Sequence, residues 1–329
     1  MATARPHPGR RTVQVAAAAA VALALLLWWL APLRSSPDPH GRVSFTTGVS
    51  SGVYSRYGEL LKRYLAEDLP GVDVRLLSSE GSVQNIERLV SGEATFTIAT
   101  ADAVAAYRDE HGEAGLRACA RLYDDYMQLV VPADSPVRSA SDLRGLRVAI
   151  GQPGSGVSLI TGRLLEAAGL DEERDIDAVR VGIAEMPRML REGTIDAFFW
   201  SGGLPTGAVK DLAKDFDVRL VQLGDLVDAL HEQGRKAQYY RAAVMPADAY
   251  PSVQRGEPVK TVAVANLLVT TDRTDPQLTE GVTRAVINSR DRIGGQVHAA
   301  QLVDLRTAIY TDPLQLHEGA SRYYRSVKS

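Results

Sequence analysis

The chain has a single cysteine, Cys119, among 329 residues. It therefore has no internal disulfide, and a zinc site built mainly of thiolates is excluded. Aromatic residues make up only 6% of the chain, and there is no excess of positive charge, the formal net charge being −3. A nucleic-acid-binding protein needs a basic face, so no nucleic-acid partner is expected. There is no GxxxxGK[ST] phosphate loop, no HExxH and no cluster of Cys and His. Metal catalysis therefore has no motif to rest on, and neither a cofactor nor a metal is expected.

What is present is a globular balance: 45% hydrophobic and 23% charged residues, enough for two domains of ordinary size. Arg5, Arg10 and Arg11 precede an apolar run from Val13 to Leu33, broken only by Gln14. A secretory core is usually about 7–15 residues and a spanning helix about 20. This run is at the long end, and Trp28, Trp29 and Leu30 occupy the place of a small-residue cleavage site. The reading favoured is an uncleaved signal anchor, with a cleaved signal peptide as the alternative. The arginines put the N-terminus inside and the body of the chain outside. The body is thus expected to be extracytoplasmic, anchored by this segment or secreted after its cleavage. Residues 34–42, RSSPDPHGR, read as a linker.

From Val43 onward, short apolar strands alternate with amphipathic helices. That order predicts parallel strands with both faces of the sheet covered. VSFTTGVSSGVY, beginning at Val43, and RVAIGQPGSGVS, beginning at Arg147, both run from a strand through a Gly/Ser loop into a helix. Each is followed by a helix that turns at a glycine into another strand, LVSGEATFTIAT in the first unit and MLREGTIDAFFW in the second. Gly52 pairs with Gly156, Leu89 with Leu190 and Gly92 with Gly193 in this comparison. Two similar α/β lobes with a cleft between them are expected. The first lobe begins with residues 43–130, the second is 131–240, and 241–329 return to the first lobe and end in helices. A monomer is the default expectation.

Three Gly/Ser loops precede helix starts: Gly48–Gly52, Ser79–Ser82 and Gly154–Ser158. Free N–H groups and the positive end of the helix dipole suit an anion there, and open α/β sheets bind ligands at the carboxyl ends of their strands. N-caps and tight turns use the same residues without any ligand. Thr100 and Asp102 follow the third strand, and Ser201–Thr206 is the corresponding segment of the second unit. Tyr54 and Tyr126 are candidate cleft aromatics. GVSSG also fits the G-x-S-x-G pattern of serine hydrolases with Ser50 as nucleophile, but it follows the first strand of the body and no HGGG-type segment precedes it.

The ordered set FTTGVSSGVY, SSEGSVQNIERLVSGEATFTIATAD, DLRGLRVAIGQPGSGVS, LREGTIDAFFWSGGLPT, MPADAYP and LHEGASRYYR resembles the TAXI family over residues 43–325. These are the solute receptors associated with tripartite ATP-independent periplasmic (TRAP) transporters. The resemblance implies a two-lobed type II periplasmic-binding-protein fold joined by hinge strands and capture of a solute by lobe closure. It implies a TRAP permease partner driven by an ion gradient, and a small anionic ligand, a carboxylate or an acidic amino acid such as glutamate. No catalytic residue is implied. The ligand-binding positions carried over are Ser50, Gly52, Tyr54, Gly81, Ser82, Asn85, Thr100, Asp102, Gly154, Ser155, Ser158, Gly203 and Pro205. The sequence departs from the family in having no lipobox cysteine and in reading Ser79-Glu80-Gly81-Ser82 where Thr-Gly-Gly-Ser is common. No arginine is placed by motif to grip a ligand carboxylate; Arg56, Arg147 and Arg180 read better as surface residues. A membrane-anchored sensor of the same fold, without transport, is the alternative function, and a hydrolase using Ser50 is a distant one.

Overall fold

The computed structural model describes residues 39–328 other than Ser51, together with residues 21–22. The N-terminal anchor or signal, and most of the linker, lie outside the described residues. Among the described residues no helix is long and apolar enough to cross a membrane.

Strand β1 (Gly41–Thr46) buries Val43 and Phe45. Helix α1 (Val53–Asp68) follows and buries Tyr57, Leu60, Leu61, Tyr64 and Leu65, a stripe at three- and four-residue spacing that can only face a core. Strand β2 (Val72–Leu77) leads to helix α2 (Ser82–Ser91), which stops at Gly92, where φ is +83°. Strand β3 (Phe96–Thr100) is buried throughout and runs straight into helix α3 (Ala101–His111). β1 pairs in parallel with β2 and with β3.

The second unit repeats this plan with strands β5 (Arg147–Ala149), β6 (Asp177–Val179) and β7 (Ala197–Gly202) and helices α4 (Gly156–Ala167) and α5 (Met186–Arg191). β5 pairs in parallel with β6 and β7, so the first strand of each unit lies between the second and the third. This shared order is the internal repeat in three dimensions. Leu89 and Leu190 are both buried, and Gly92 and Gly193 both have positive φ.

Two long strands join the units. β4 (Leu116–Pro132) and β10 (Val259–Thr271) are antiparallel neighbours, and the sheet order is β2-β1-β3-β10-β4-β7-β5-β6. β10 pairs with β3 through residues 266–269, and β4 pairs with β7 through residues 126–130. Strand β8 (Val218–Val221) pairs with β4, and β9 (Tyr240–Met245) with β10. Between β7 and β8 lies helix α6 (Gly207–Leu212), and helix α7 (Val227–Glu232) lies between β8 and β9. Met245, Tyr250 and Val253, the latter in helix α8 (Pro251–Gln254), cluster with Phe198 and Val209 of the second unit. These residues thus pack with the second unit, and β10 after them pairs with β3 of the first. Helices α9 (Pro276–Gly294) and α10 (Glu318–Ser326) then pack on the first unit, with Val286, Ile287 and Tyr324 in one cluster with Phe45 and Tyr57.

Candidate functional site

Each unit sends three strand-to-helix loops toward a common cavity. The first unit contributes residues 48–49, 52–54, 80–82 and 100; the second contributes 151–152, 155–157, 182–183 and 200–202. The space they enclose is about 630 Å³, counting solvent at its mouth. Its floor includes Asp125 of β4.

The helix starts at this cavity are sparsely capped. No side chain caps α1 or α2. Thr100 is the N-cap residue of α3, yet its Oγ1 has no partner, and it is only 3% exposed. Ser155 caps α4 by accepting from the Ser158 N–H at 3.1 Å. The N-terminal ends of α1, α2 and α4 thus meet at one space, and those of α1 and α2 have no side-chain cap.

A hydrogen-bond chain holds one wall. The Thr100 N–H donates to Ser82 Oγ at 3.2 Å, Ser82 Oγ lies 3.2 Å from the Tyr54 hydroxyl, and Tyr54 donates to Asn266 Oδ1 of β10. Burial, and then the nearby Asp125 carboxylate, push the Tyr54 phenol well above its ordinary pKa, so it stays protonated and acts as a donor. Across the mouth, the Gln152 side chain donates to the Glu80 carbonyl at 3.1 Å, and the Gln84 N–H donates to the Gly154 carbonyl at 3.2 Å. Both bonds join one unit to the other.

The charged residues that line the cavity are Glu80 and Asp125; among the described residues no lysine or arginine lines it. Asp125 is 5% exposed, and its Oδ1 has no hydrogen-bond partner. Burial, reinforced by the charges of Asp124 and Asp102 and opposed by the adjacent Asn266 amide, raises its pKa to about 7. The Trp200 Nε1–H, also on the wall, is a buried donor without a partner. A donor, a hydroxyl and a carboxylate oxygen, all buried and all unmatched at one cavity, are what a polar ligand would complete.

A match to the NMT1-like family covers residues 45–327. The chain belongs to the NMT1-like family. This NMT1-like chain is similar in structure to a putative L-cystine ABC transporter from Listeria monocytogenes, at 14% identity and a TM-score of 0.51, covering 80% of this chain and 98% of that one. It is also similar to a protein of Bordetella bronchiseptica RB50, at 17% identity and a TM-score of 0.50, with 87% and 89% covered. With two β-α units joined by two crossing strands, the NMT1-like chain has the mixed α/β, two-lobed periplasmic-binding-protein fold expected from its sequence.

Of the positions marked in the sequence, Gly52, Tyr54, Gly81, Ser82, Thr100 and Ser155 line the cavity of the NMT1-like chain. The others do not, each for a visible reason. Ser50 is exposed. Asn85 is fully buried behind the wall, accepting from Thr46 Oγ1 and Ser79 Oγ and donating to the carbonyls of Thr47 and Ile98. Asp102 accepts from the Tyr240 hydroxyl at 2.7 Å. Gly154 and Ser158 are held in the inter-unit bond and the α4 cap. At Gly203 a Cβ would collide with the Ala299 methyl, and Pro205 is exposed. Arg56 pairs with Glu59, Arg147 with Asp196 and Arg180 with Glu172, all away from the cavity.

Asp125, Gln152, Ile183 and Trp200 were not marked in the sequence. Asp125 had one readable signal. It belongs to an adjacent Asp pair in a segment that continues into the apolar run MQLVVP, where a buried carboxylate requires a reason.

Proposed function

We propose that this chain is an extracytoplasmic solute-binding receptor that closes its two lobes on a small carboxylate-bearing solute or amino acid and delivers it to a TRAP-type permease. The observation that carries the reading is the cavity itself. Six loops, three from each unit, surround buried polar atoms that no protein group satisfies, and hydrogen bonds bridge the two sides of the mouth. A structure that opens and closes about two crossing strands can admit a solute and then enclose it. We place the limits of the lobes within β4 and β10. Tyr54, Ser82, Thr100, Ser155, Asp125 and Trp200 are the proposed contact residues. Assignment to the TAXI branch, and with it the TRAP permease, rests on the ordered motifs of the sequence. The similar Listeria protein is a putative L-cystine ABC transporter, which keeps amino acids among the solutes to be tried.

The test is thermal unfolding of the full chain, purified in mild detergent, against a panel of small carboxylates and amino acids. A ligand bound only by the folded state raises the midpoint by mass action. A saturable shift supports the receptor reading; a flat response across the panel argues against it. Uptake of that solute by cells co-expressing the chain and a TRAP permease, abolished by an ionophore and insensitive to ATP depletion at constant ion gradient, tests the partner.

A further inference from the structure

We infer that the solute carries a cationic group seated against Asp125, and that the ligand is a zwitterionic amino acid with a neutral, largely apolar side chain rather than an acidic one. This rests on the receptor reading above and narrows its ligand.

Three observations converge. Asp125 sits on the cavity floor, on a strand that crosses between the units, with a buried and unpartnered carboxylate oxygen. Nothing on the lining neutralises it. Among the described residues the lining has no lysine or arginine and adds a second acidic residue, Glu80. The basic residues near its neighbour are already engaged: Arg121 and Arg241 both pair with Asp124. The groups that act on Asp125 are Asp124 and Tyr123 on its own strand, Asp102 on α3, Tyr54 on α1 and the Asn266 amide on β10, and none is a cation. A buried carboxylate with no counter-ion is costly, and a ligand ammonium supplies one.

The same space holds the complement for a carboxylate. Gly52 and Val53 bring the uncapped start of α1 to the wall, and Gly156 and Val157 bring the start of α4. Thr100 Oγ1 and Trp200 Nε1 are further unmatched groups, each able to donate. The lining therefore holds groups that suit an anion together with one that suits a cation, which is the charge pattern of an α-amino acid. A second ligand carboxylate would find no cation and would face Glu80 and Asp125. Val49, Val53, Val157, Ile183 and the Trp200 ring supply an apolar surface for a neutral side chain.

The test compares matched probes on the full chain in detergent by calorimetric titration: leucine, 4-methylpentanoate, which lacks the ammonium, and isoamylamine, which lacks the carboxylate, and in parallel alanine with propionate and glutamate with glutarate. The expected result is that a neutral amino acid binds and its deaminated partner binds about 30-fold or more weakly, the loss typical of removing one member of a buried charge pair. The sign of the pH dependence gives an independent readout. Amino-acid affinity should fall, by up to about tenfold per pH unit, as pH drops below 7 and Asp125 takes up a proton, whereas an anion that binds the protonated site would bind more tightly. Asp125→Asn, an isosteric change, should abolish that slope and equalise the amino acid and its deaminated partner. Equal or tighter binding of glutarate or 4-methylpentanoate than of the matched amino acids, with Asp125→Asn harmless, would overturn the inference and leave the receptor reading standing. No binding by any probe, zwitterion, anion or amine, would overturn both.

Discussion

The side-chain amide of Gln152, in the second unit, donates to the backbone carbonyl of Glu80, in the first, at 3.1 Å. Together with the Gln84 N–H on the Gly154 carbonyl, it links the two sides of the cavity mouth. The Gln152 bond lies at the solvent edge and is neutral, so it should contribute about 0.5–1.5 kcal/mol to the closed state. Gln152→Ala is expected to weaken ligand binding about 3–10-fold, almost wholly through a faster off-rate, which stopped-flow displacement would measure. An unchanged off-rate would mean that the latch is not used.

Gly81 has φ of +134°, and a Cβ there would lie 3.2 Å from the Ser155 Cα across the cleft. Gly81→Ala should therefore cost about 1–3 kcal/mol in backbone strain and also hold the two walls apart. Gly92 is the matched control. Its φ is +83°, but nothing lies within 4 Å of a Cβ built on it, so Gly92→Ala should cost about 1 kcal/mol and leave binding untouched. Denaturant unfolding together with titration separates the two effects.

Asn85 makes four buried hydrogen bonds and does not line the cavity. Truncating it removes one partner each from the Thr47 and Ile98 carbonyls and from the Thr46 and Ser79 hydroxyls. Asn85→Ala is expected to destabilise the fold by about 2–4 kcal/mol, while the fraction that remains folded binds ligand within a few-fold of the parent. A normal melting curve with lost binding would instead make Asn85 a ligand contact.

The ligand-free protein should lose stability as pH rises toward 8 through Asp125. Its folded pKa, about 7, stands above the ordinary carboxylate value, so the folded state holds this proton more tightly than the unfolded chain does. The stabilisation is complete below about pH 4 and disappears as pH rises through 7, on the order of 4 kcal/mol in all. Urea titrations from pH 5 to 8 should show that decline in the parent and a flatter profile in Asp125→Asn. A bound ammonium reverses the sign by favouring the ionised carboxylate.

Much of this architecture is written in local pattern. The stripe Tyr57, Leu60, Leu61, Tyr64 and Leu65 predicts α1 because only a 3.6-residue period gathers those side chains on one face. The repeat of Gly/Ser loops before α1 and α4, and of the left-handed glycines at 92 and 193, announces two like units, since each feature answers a backbone requirement within a few residues. The strand β4 carries a weaker local signal. Its apolar residues are interrupted by Arg117, Arg121, Asp124 and Asp125: Arg117 pairs with Asp272, Asp124 with Arg121 of the same strand and Arg241 of β9, and Asp125 lines the cavity.

The sequence by itself determined the alternation of strands and helices and the repeat of two like units, because helix stripes, strand runs and loop glycines act over short range. Only the tertiary structure decided which groups face the cavity. Asn85 and Asp125 are both buried polar residues, and no periodicity distinguishes them. Asn85 is matched on all sides by backbone and hydroxyls, whereas Asp125 is left with an open oxygen, and that difference arises only when six loops far apart in the chain are folded around one volume.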